Sequence, residues 1–391
     1  MGIRERGGWE AMRNRVDVAI IGSGITGLST AYSLVNKGCR DIMLLEKGNL
    51  ASGASTRNGG GIRAQFSTEQ NILLAMRSIR RFRELGTELN VNFWFRQGGY
   101  LFVAETDDEL SLLKRTVAFH RRFNLGTKMM DCSDVQAVIP QMVCKSVIGG
   151  AFRKGDGVLF PFPLLFGYAE HLKRAGVNIE TRCEVSEIRR SLTGYELTTS
   201  RGTVFAEHLL NAAGGWSSDV AKLMGAHIPT NPVRHQIMVS EPLAPFLDPM
   251  MVTLRDGFYM SQGPRGELVG GIAEAGQHKN DPHKSGSDFC RQISSRIVSL
   301  FPRLGNARMM RQWAGYYDMS PDANPILDEI PGFDKAYLAC GFSGHGFMIS
   351  PAVGEFMASL ILGERLPFPR EPYRLSRFEA GGTRSETMVI G

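Results

Sequence analysis

The chain of 391 residues predicts an α/β protein, α+β overall, on three observations. A short apolar run, Val18-Ala-Ile-Ile21, meets the glycine turn Gly22-Ser-Gly24-Ile-Thr-Gly27 and then an amphipathic helix. A second apolar run ends in the acid Glu46, roughly 20 residues beyond the turn. From residue 229 the texture changes to aromatic-rich, strand-like segments broken by turns. Strand, phosphate loop, helix, strand and acid in that order give a Rossmann-like dinucleotide-binding domain. The later segments give a second, mainly antiparallel β-sheet domain.

Each residue of the first turn has a physical task. Gly22 allows the tight turn, Gly24 lets a pyrophosphate approach the backbone, and Gly27 lets the helix lie close to the sheet. The helix N-terminus turns free N–H groups and a positive dipole end toward the phosphates. Glu46 can accept ribose hydroxyl hydrogen bonds.

The length allows a large core and suggests two intertwined domains. Hydrophobic content of 43% and charged content of 21% are ordinary for a globular protein. The formal charge of +6 comes from scattered Lys and Arg flanked by acids, so no nucleic-acid stripe is present. The six cysteines form no CxxC pair and no Cys/His cluster, so no metal site is expected and they read as reduced thiols of a cytoplasmic protein. The leader, residues 1–15, is basic and polar without an apolar h-region, so no secretory signal is expected. No run of about 20 apolar residues offers a membrane span.

Along the chain, Arg57-Asn58-Gly59-Gly60-Gly61-Ile62-Arg63 suggests backbone lying against a ligand. Arg63 ends that run, where its guanidinium could hold a carboxylate in bidentate fashion. Ser67-Thr-Glu-Gln70 resembles a capping box opening a helix with Ile72, Leu73, Met76, Ile79 and Phe82 on its core face. Thr106-Asp-Asp-Glu109 opens another helix, and its His120 is expected on the polar face beside Arg121 and Arg122. Pro161 and Pro163 start a helix that runs to Arg174 and ends at Gly176. Strands follow at about residues 177–180, 183–188, 195–199 and 203–206. Leu209-Leu-Asn-Ala-Ala213-Gly214-Gly-Trp216 returns the chain to the first sheet. Strand-like segments at 233–240, 257–261, 266–271 and 309–317 build the second sheet, with a hairpin turn at Gly263-Pro-Arg-Gly266 and a helix near 288–301. Finally a strand at 335–340 enters Gly341-Phe-Ser-Gly344-His345-Gly346-Phe347-Met348, and a helix is expected over 351–363.

Four segments carry a family resemblance: the first glycine turn, Asn211-Ala-Ala-Gly-Gly-Trp216, Trp313-Ala-Gly-Tyr-Tyr-Asp-Met-Ser-Pro-Asp-Ala-Asn-Pro325, and Gly341-Phe-Ser-Gly-His-Gly-Phe347. The chain resembles flavin amine oxidoreductases of the D-amino-acid oxidase type. Within these it looks most like β subunits of dye-linked L-proline dehydrogenase and heterotetrameric sarcosine oxidase, with opine oxidase and hydrogen cyanide synthase subunits related. The resemblance runs from about residue 16 to the C-terminus. It implies FAD, with residues 15–90, 145–225 and 320–391 forming the FAD-binding domain and 91–144 and 226–319 the substrate-binding domain.

The resemblance then implies the site. Cofactor contacts are expected from Gly22, Ser23, Gly24, Ile25, Thr26 and Gly27, and from Glu46 and Lys47. Around the glycine run they are expected from Ser55, Arg57, Asn58, Gly60, Gly61 and Ile62. Further on they come from Val185, Ala213, Gly214 and Trp216, and at the late turn from Gly341, Gly344, His345, Gly346, Phe347 and Met348. Arg63 matches a carboxylate-binding position. Tyr259 and Tyr317 fall on strands that the family places over the flavin, and His345 sits in the flavin turn. His235 leads to the same cleft and reads as structural. The implied reaction passes a hydride equivalent from the α-carbon of a small amino acid to flavin N5.

Departures from the family pattern sharpen the expectation. Gly315 stands where some relatives attach FAD through a cysteine, so FAD is expected to be non-covalent. Met348 replaces a carboxylate-binding lysine, and no lysine occurs in residues 268–272, where monomeric oxidases keep one for oxygen chemistry. Pro161-Phe162 stands where a histidine attaches FMN in one relative, so an FMN, if bound, is non-covalent at an interface with a partner subunit. An α subunit and a small subunit, which could carry iron–sulfur, are the implied partners. A subunit of an amino-acid dehydrogenase is the first expectation. A stand-alone oxidase producing hydrogen peroxide and a non-catalytic electron-transfer subunit remain open.

Overall fold

A computed structural model describes residues 14–273, 285–379 and 384–390. Residues 1–13, most of the basic leader, lie outside the described residues. The strand Arg15–Ile21 is buried on both faces over its apolar half, as a central parallel strand requires. It pairs in parallel with Ile42–Glu46 on one side and with Gly202–Asn211 on the other. Asn178–Thr181 extends this sheet beyond Ile42–Glu46, and Ala336–Cys340 joins Gly202–Asn211, both in parallel. Ile326–Glu329 closes one edge antiparallel, and Val185–Ser191 with Gly194–Thr199 forms an antiparallel flap on Gly202–Asn211. The segments expected separately at 203–206 and 209–211 are therefore one continuous strand.

The helix Ile25–Asn36 packs on this sheet, and a Cβ at Gly27 would meet the Gly22 carbonyl oxygen at 2.1 Å. That contact is the close helix–strand approach expected of the third glycine. The helix Gly346–Ile361 lies on the first helix: a Cβ at Gly354 would stand 2.5 Å from the Ser29 carbonyl oxygen. This last helix begins at Gly346 rather than at Pro351. Pro351 is tolerated inside it, and the Phe347 carbonyl it cannot pair with accepts the Ser350 hydroxyl at 2.9 Å.

The second sheet is mainly antiparallel. Asn231–Pro242 pairs with Met309–Met319 and with Glu267–Gly271, and Tyr259–Gln262 and Met250–Thr253 continue it. Tyr100–Ala104 joins in parallel to Met250–Thr253. Gly149–Arg153, which the expected boundary at 145 puts with the first domain, pairs instead with Tyr100–Ala104. The hairpin turn at 263–266 forms as expected, with the Gly266 N–H donating to the Gly263 carbonyl at 3.1 Å.

Two local expectations change. The helix Glu69–Glu88 has no side-chain cap of its own; Ser67 and Thr68 spend their hydroxyls on Glu386 from the far end of the chain. His120 is buried, not on the polar face: Nε2 lies 2.8 Å from the Phe66 carbonyl and Nδ1 3.0 Å from the Thr127 hydroxyl. Among the described residues, no helix is long and apolar enough to cross a membrane.

Candidate functional site

A cleft of about 460 Å³ runs from the first glycine turn to the late one. The N-termini of Ile25–Asn36 and Gly346–Ile361 both open on it, so two helix dipoles present their positive ends to one space. Ser23 donates its N–H and its hydroxyl to Glu46 Oε2, each at 3.1 Å, and the Gly48 N–H donates to Oε1 at 2.8 Å. Glu46 is thus oriented at the end of its strand. The Ile25 N–H, one of the helix's free donors, is taken by the Ser55 hydroxyl at 2.9 Å. Lys47 Nζ stands 3.7 Å over the Trp216 ring.

The cleft brings together most of the expected cofactor residues: Gly22 through Thr26, Glu46, Lys47, Ser55, Arg57 and Asn58. It also reaches Val185, Ala213, Gly214, Trp216, Gly344, Gly346 and Phe347, together with Tyr317. Gly27, Gly60, Gly61, Ile62, Gly341, His345 and Met348 are not among its lining residues. Ile62 and Met348 are core residues. Protein packs closely against the glycine run. A Cβ at Gly59 would meet the Tyr259 ring at 2.9 Å, one at Gly60 the Leu159 carbonyl at 2.1 Å, and one at Gly61 Met250 Sδ at 2.9 Å. Close protein contact alone requires glycine at all three positions.

Behind the cleft lies a cluster of buried polar groups. Arg63 is 2% exposed, and its Nη1 and Nη2 donate to the carbonyls of Gln65 and Met388. Its guanidinium stands 4.0 Å over the Phe66 ring, and its Nε has no hydrogen-bond partner. The open bidentate fork expected of Arg63 is therefore not what the side chain presents. Phe66 also meets the His345 ring edge-on at 5.1 Å, and neither ring nitrogen of His345 has a hydrogen-bond partner. Burial, with Arg63 nearby, pushes His345 down to about 4, so its ring is neutral at pH 7.

Tyr259 and Tyr317 flank His235. The His235 ring stacks on Tyr317 at 4.8 Å and on Tyr259 at 5.7 Å. Burial pushes His235 down to about 4 and raises Tyr259 and Tyr317 above the usual phenol range, so all three are neutral at pH 7. Tyr100 belongs to the same cluster and was missed from sequence. Burial pushes it up to about 12, while Arg63 pulls it back. The only local signal was the Gly98-Gly99 pair before its strand. His235, read from sequence as a structural histidine on a strand leading to the cleft, lines that cleft.

A second cavity of about 1010 Å³ adjoins the first across Ala51, Ser52, Arg57 and Asn58. Trp94, Phe160, Phe162 and Trp313 line it together with Arg57, Arg96, Arg265 and Arg311. Arg57 is held below its usual range, first by burial and then by the charge of Arg311.

Comparison with known proteins agrees with this architecture. The sarcosine oxidase subunit beta of Rhodobacter capsulatus is 28% identical, covering 100% of this chain and 96% of that protein. The same subunit of Rhizobium meliloti is 30% identical, covering 93% and 89%. The crystal structure of L-proline dehydrogenase from P. horikoshii superposes with a TM-score of 0.90 at 30% identity, covering 95% of this chain and 100% of that one. Residues 17–360 match the DAO family, described as FAD dependent oxidoreductase. With two glycine turns facing one cleft and a mainly antiparallel sheet set beside it, the chain belongs to the DAO family of FAD-dependent oxidoreductases.

Proposed function

We propose that the chain is the FAD-bearing catalytic subunit of a dehydrogenase complex that oxidises the C–N bond of a secondary amino acid, of the proline, hydroxyproline, sarcosine or opine class. One observation carries this: Arg63 Nε and the His345 imidazole are buried without hydrogen-bond partners, both packed against Phe66. A buried donor left unsatisfied costs about 1–3 kcal/mol. The carboxylate and amine of an amino acid supply the missing acceptor and donor. The similarity to sarcosine oxidase beta subunits and to L-proline dehydrogenase supports the substrate class and the subunit role.

The residues present fit FAD. The helix at Ile25 and the turn before it offer backbone N–H groups to the pyrophosphate, and Glu46 offers its carboxylate to a ribose. The helix at Gly346 would set its N-terminus against the flavin end. Gly315 lies against Arg57, and the absence of a thiol there supports non-covalent binding. Bound FAD supplies the acceptor for the hydride equivalent that leaves the substrate α-carbon. Arg63 would hold the carboxylate, the Tyr259 and Tyr317 hydroxyls would orient the amine, and the surrounding rings would exclude water.

The second cavity supports a partner subunit with an FMN between them. Trp94 and Phe162 are 47% and 39% exposed at its rim, and its four arginines suit a phosphate. An anion there relieves the repulsion between Arg57 and Arg311.

Anaerobic flavin absorbance, titrated with proline, hydroxyproline, sarcosine and an opine and followed by air, tests the proposal. Bleaching with slow reoxidation supports the dehydrogenase subunit. Immediate reoxidation with peroxide makes the chain an oxidase, and no bleaching with any of them in the presence of its partner subunits makes it an electron-transfer subunit.

A further inference from the structure

The C-terminal segment, residues 384–390, returns to the middle of the molecule. Glu386 is 4% exposed. Its carboxylate accepts the Ser67 N–H at 2.8 Å and hydroxyl at 2.6 Å, and the Thr68 N–H at 3.1 Å and hydroxyl at 2.8 Å. It also accepts the Asn71 amide at 3.2 Å and the Met388 N–H at 2.9 Å. The Thr387 N–H donates to the Ser67 hydroxyl at 2.8 Å, and Asn324 donates to the Arg384 carbonyl at 3.1 Å. A seven-residue segment needs no such anchor to rest on a surface. Here a buried carboxylate is spent on fixing the segment, and it caps the helix Glu69–Glu88 at the same time.

What the anchor holds is Met388. Its carbonyl accepts Arg63 Nη2, and its side chain belongs to the same buried cluster as Tyr100, Met250 and Tyr259. We propose that residues 386–390 form a wall of the substrate site, in which Glu386 and Met388 are positioning residues for Arg63. The inference rests on the amino-acid oxidoreductase reading above. A guanidinium has five N–H groups in a rigid fork. The carbonyls of Gln65 and Met388 pin the two Nη ends, and Phe66 covers one face at 4.0 Å. The plane cannot turn, so the unpartnered Nε edge is held in one direction as the docking edge for a carboxylate. The wall beside it, Met388 with Tyr100, Phe102 and Tyr259, is largely hydrocarbon. The site therefore takes a monocarboxylic amino acid with an apolar remainder, such as a cyclic or N-methyl amino acid, in preference to a dicarboxylic opine.

Benzoate binding to the holoenzyme, followed by the shift of flavin absorbance, tests this without turnover, and kcat and KM for proline and sarcosine are measured beside it. Glu386→Gln keeps shape and removes the charge of the anchor; a chain ending at Glu386 removes the wall; Met388→Ala opens it while keeping the carbonyl. Glu386→Gln and the shortened chain are expected to weaken benzoate and raise KM at least tenfold, with kcat changed less than threefold and FAD content unchanged. Met388→Ala is expected to shift preference toward bulkier substrates. If Glu386→Gln lowers only the melting temperature and leaves benzoate affinity and KM within twofold, the segment is a helix cap and the inference falls. Arg63→Lys separates the two levels: unchanged benzoate affinity in that variant overturns the role of Arg63 itself, whereas a large loss there with no effect of Glu386→Gln overturns the role of the segment alone.

Discussion

His235 Nε2 stands 3.2 Å from the Tyr259 hydroxyl, and the same imidazole stacks on Tyr317. One buried ring therefore ties two strands of the second sheet to the wall of the cleft. It does so as a neutral group, since burial pushes it down to about 4. The unfolded chain binds a proton at this histidine below about pH 6.5, while the folded chain does not until about pH 4. The stability held in this site is present above pH 6.5 and is lost as pH falls toward 4. The full difference is on the order of 3 kcal/mol. Urea unfolding at pH 7.5 and pH 5 should show the wild type losing more stability on acidification than His235→Asn does. Equal losses in the two proteins would show that the ring is not held neutral.

Gly354 and Ser29 join the two helices whose N-termini face the cleft. A Cβ at 354 would lie 2.5 Å from the Ser29 carbonyl oxygen and 2.9 Å from its Cβ, so Gly354→Ala must push the helices apart. Overpacking of this kind costs about 1–3 kcal/mol. The variant should melt several degrees lower and hold FAD more weakly, because the relative placing of the two N-termini changes. Thermal denaturation with and without added FAD checks both effects; an unchanged melting temperature would mean that the helices are free to separate.

The parts of the chain that were legible from sequence are those whose partners are near in sequence. The strand, turn and helix around Gly22 to Gly27 are one local unit, and its glycines sit where helix–strand packing requires them. The aromatic-rich strands of the second sheet were legible from their own composition, although Asn231–Pro242 finds its partner Met309–Met319 far along the chain. Arg63 was not: one of its two carbonyl partners is Met388, brought in by the tail. The helix start at Ser67 was read as a local capping box because Ser, Thr and Glu stand at the right spacing, yet the carboxylate that caps it is that of Glu386. The run at 59–61 read as a ligand surface because glycine reports close approach without saying of what. Pro351 read as a helix start, whereas the Ser350 hydroxyl lets the helix begin a turn earlier. Residues 149–153 were placed with the first domain, whereas the strand Gly149–Arg153 pairs with Tyr100–Ala104, a partner set by topology and not by its own residues.

Glu46 is oriented by Ser23 through both N–H and hydroxyl. Glu46→Ala removes the carboxylate proposed for the ribose and leaves the Ser23 N–H without its acceptor. A hydrogen bond to a charged group is worth about 1.5–3 kcal/mol. FAD affinity should therefore fall roughly 10- to 100-fold, while the flavin that does bind is still reduced by substrate at an unchanged rate. Equilibrium dialysis gives the first quantity and anaerobic stopped-flow reduction the second; a lost reduction rate at saturating FAD would place Glu46 in the chemistry instead.

Burial first, and then the charge of Arg311, hold the Arg57 guanidinium below its usual range. Two like charges facing one cavity cost stability unless an anion joins them. Arg311→Ala should therefore leave the isolated chain as stable as before or slightly more so, by up to about 1 kcal/mol. The same change should weaken FMN, because a cation proposed for its phosphate is gone. FMN binding to the wild type should itself weaken with added salt, since the attraction is electrostatic and partly exposed to solvent. Isothermal titration with FMN at two ionic strengths, on the wild type and on Arg311→Ala with the partner subunit present, measures each part. If Arg311→Ala melts lower and binds FMN unchanged, Arg311 is structural and the second cavity has another occupant.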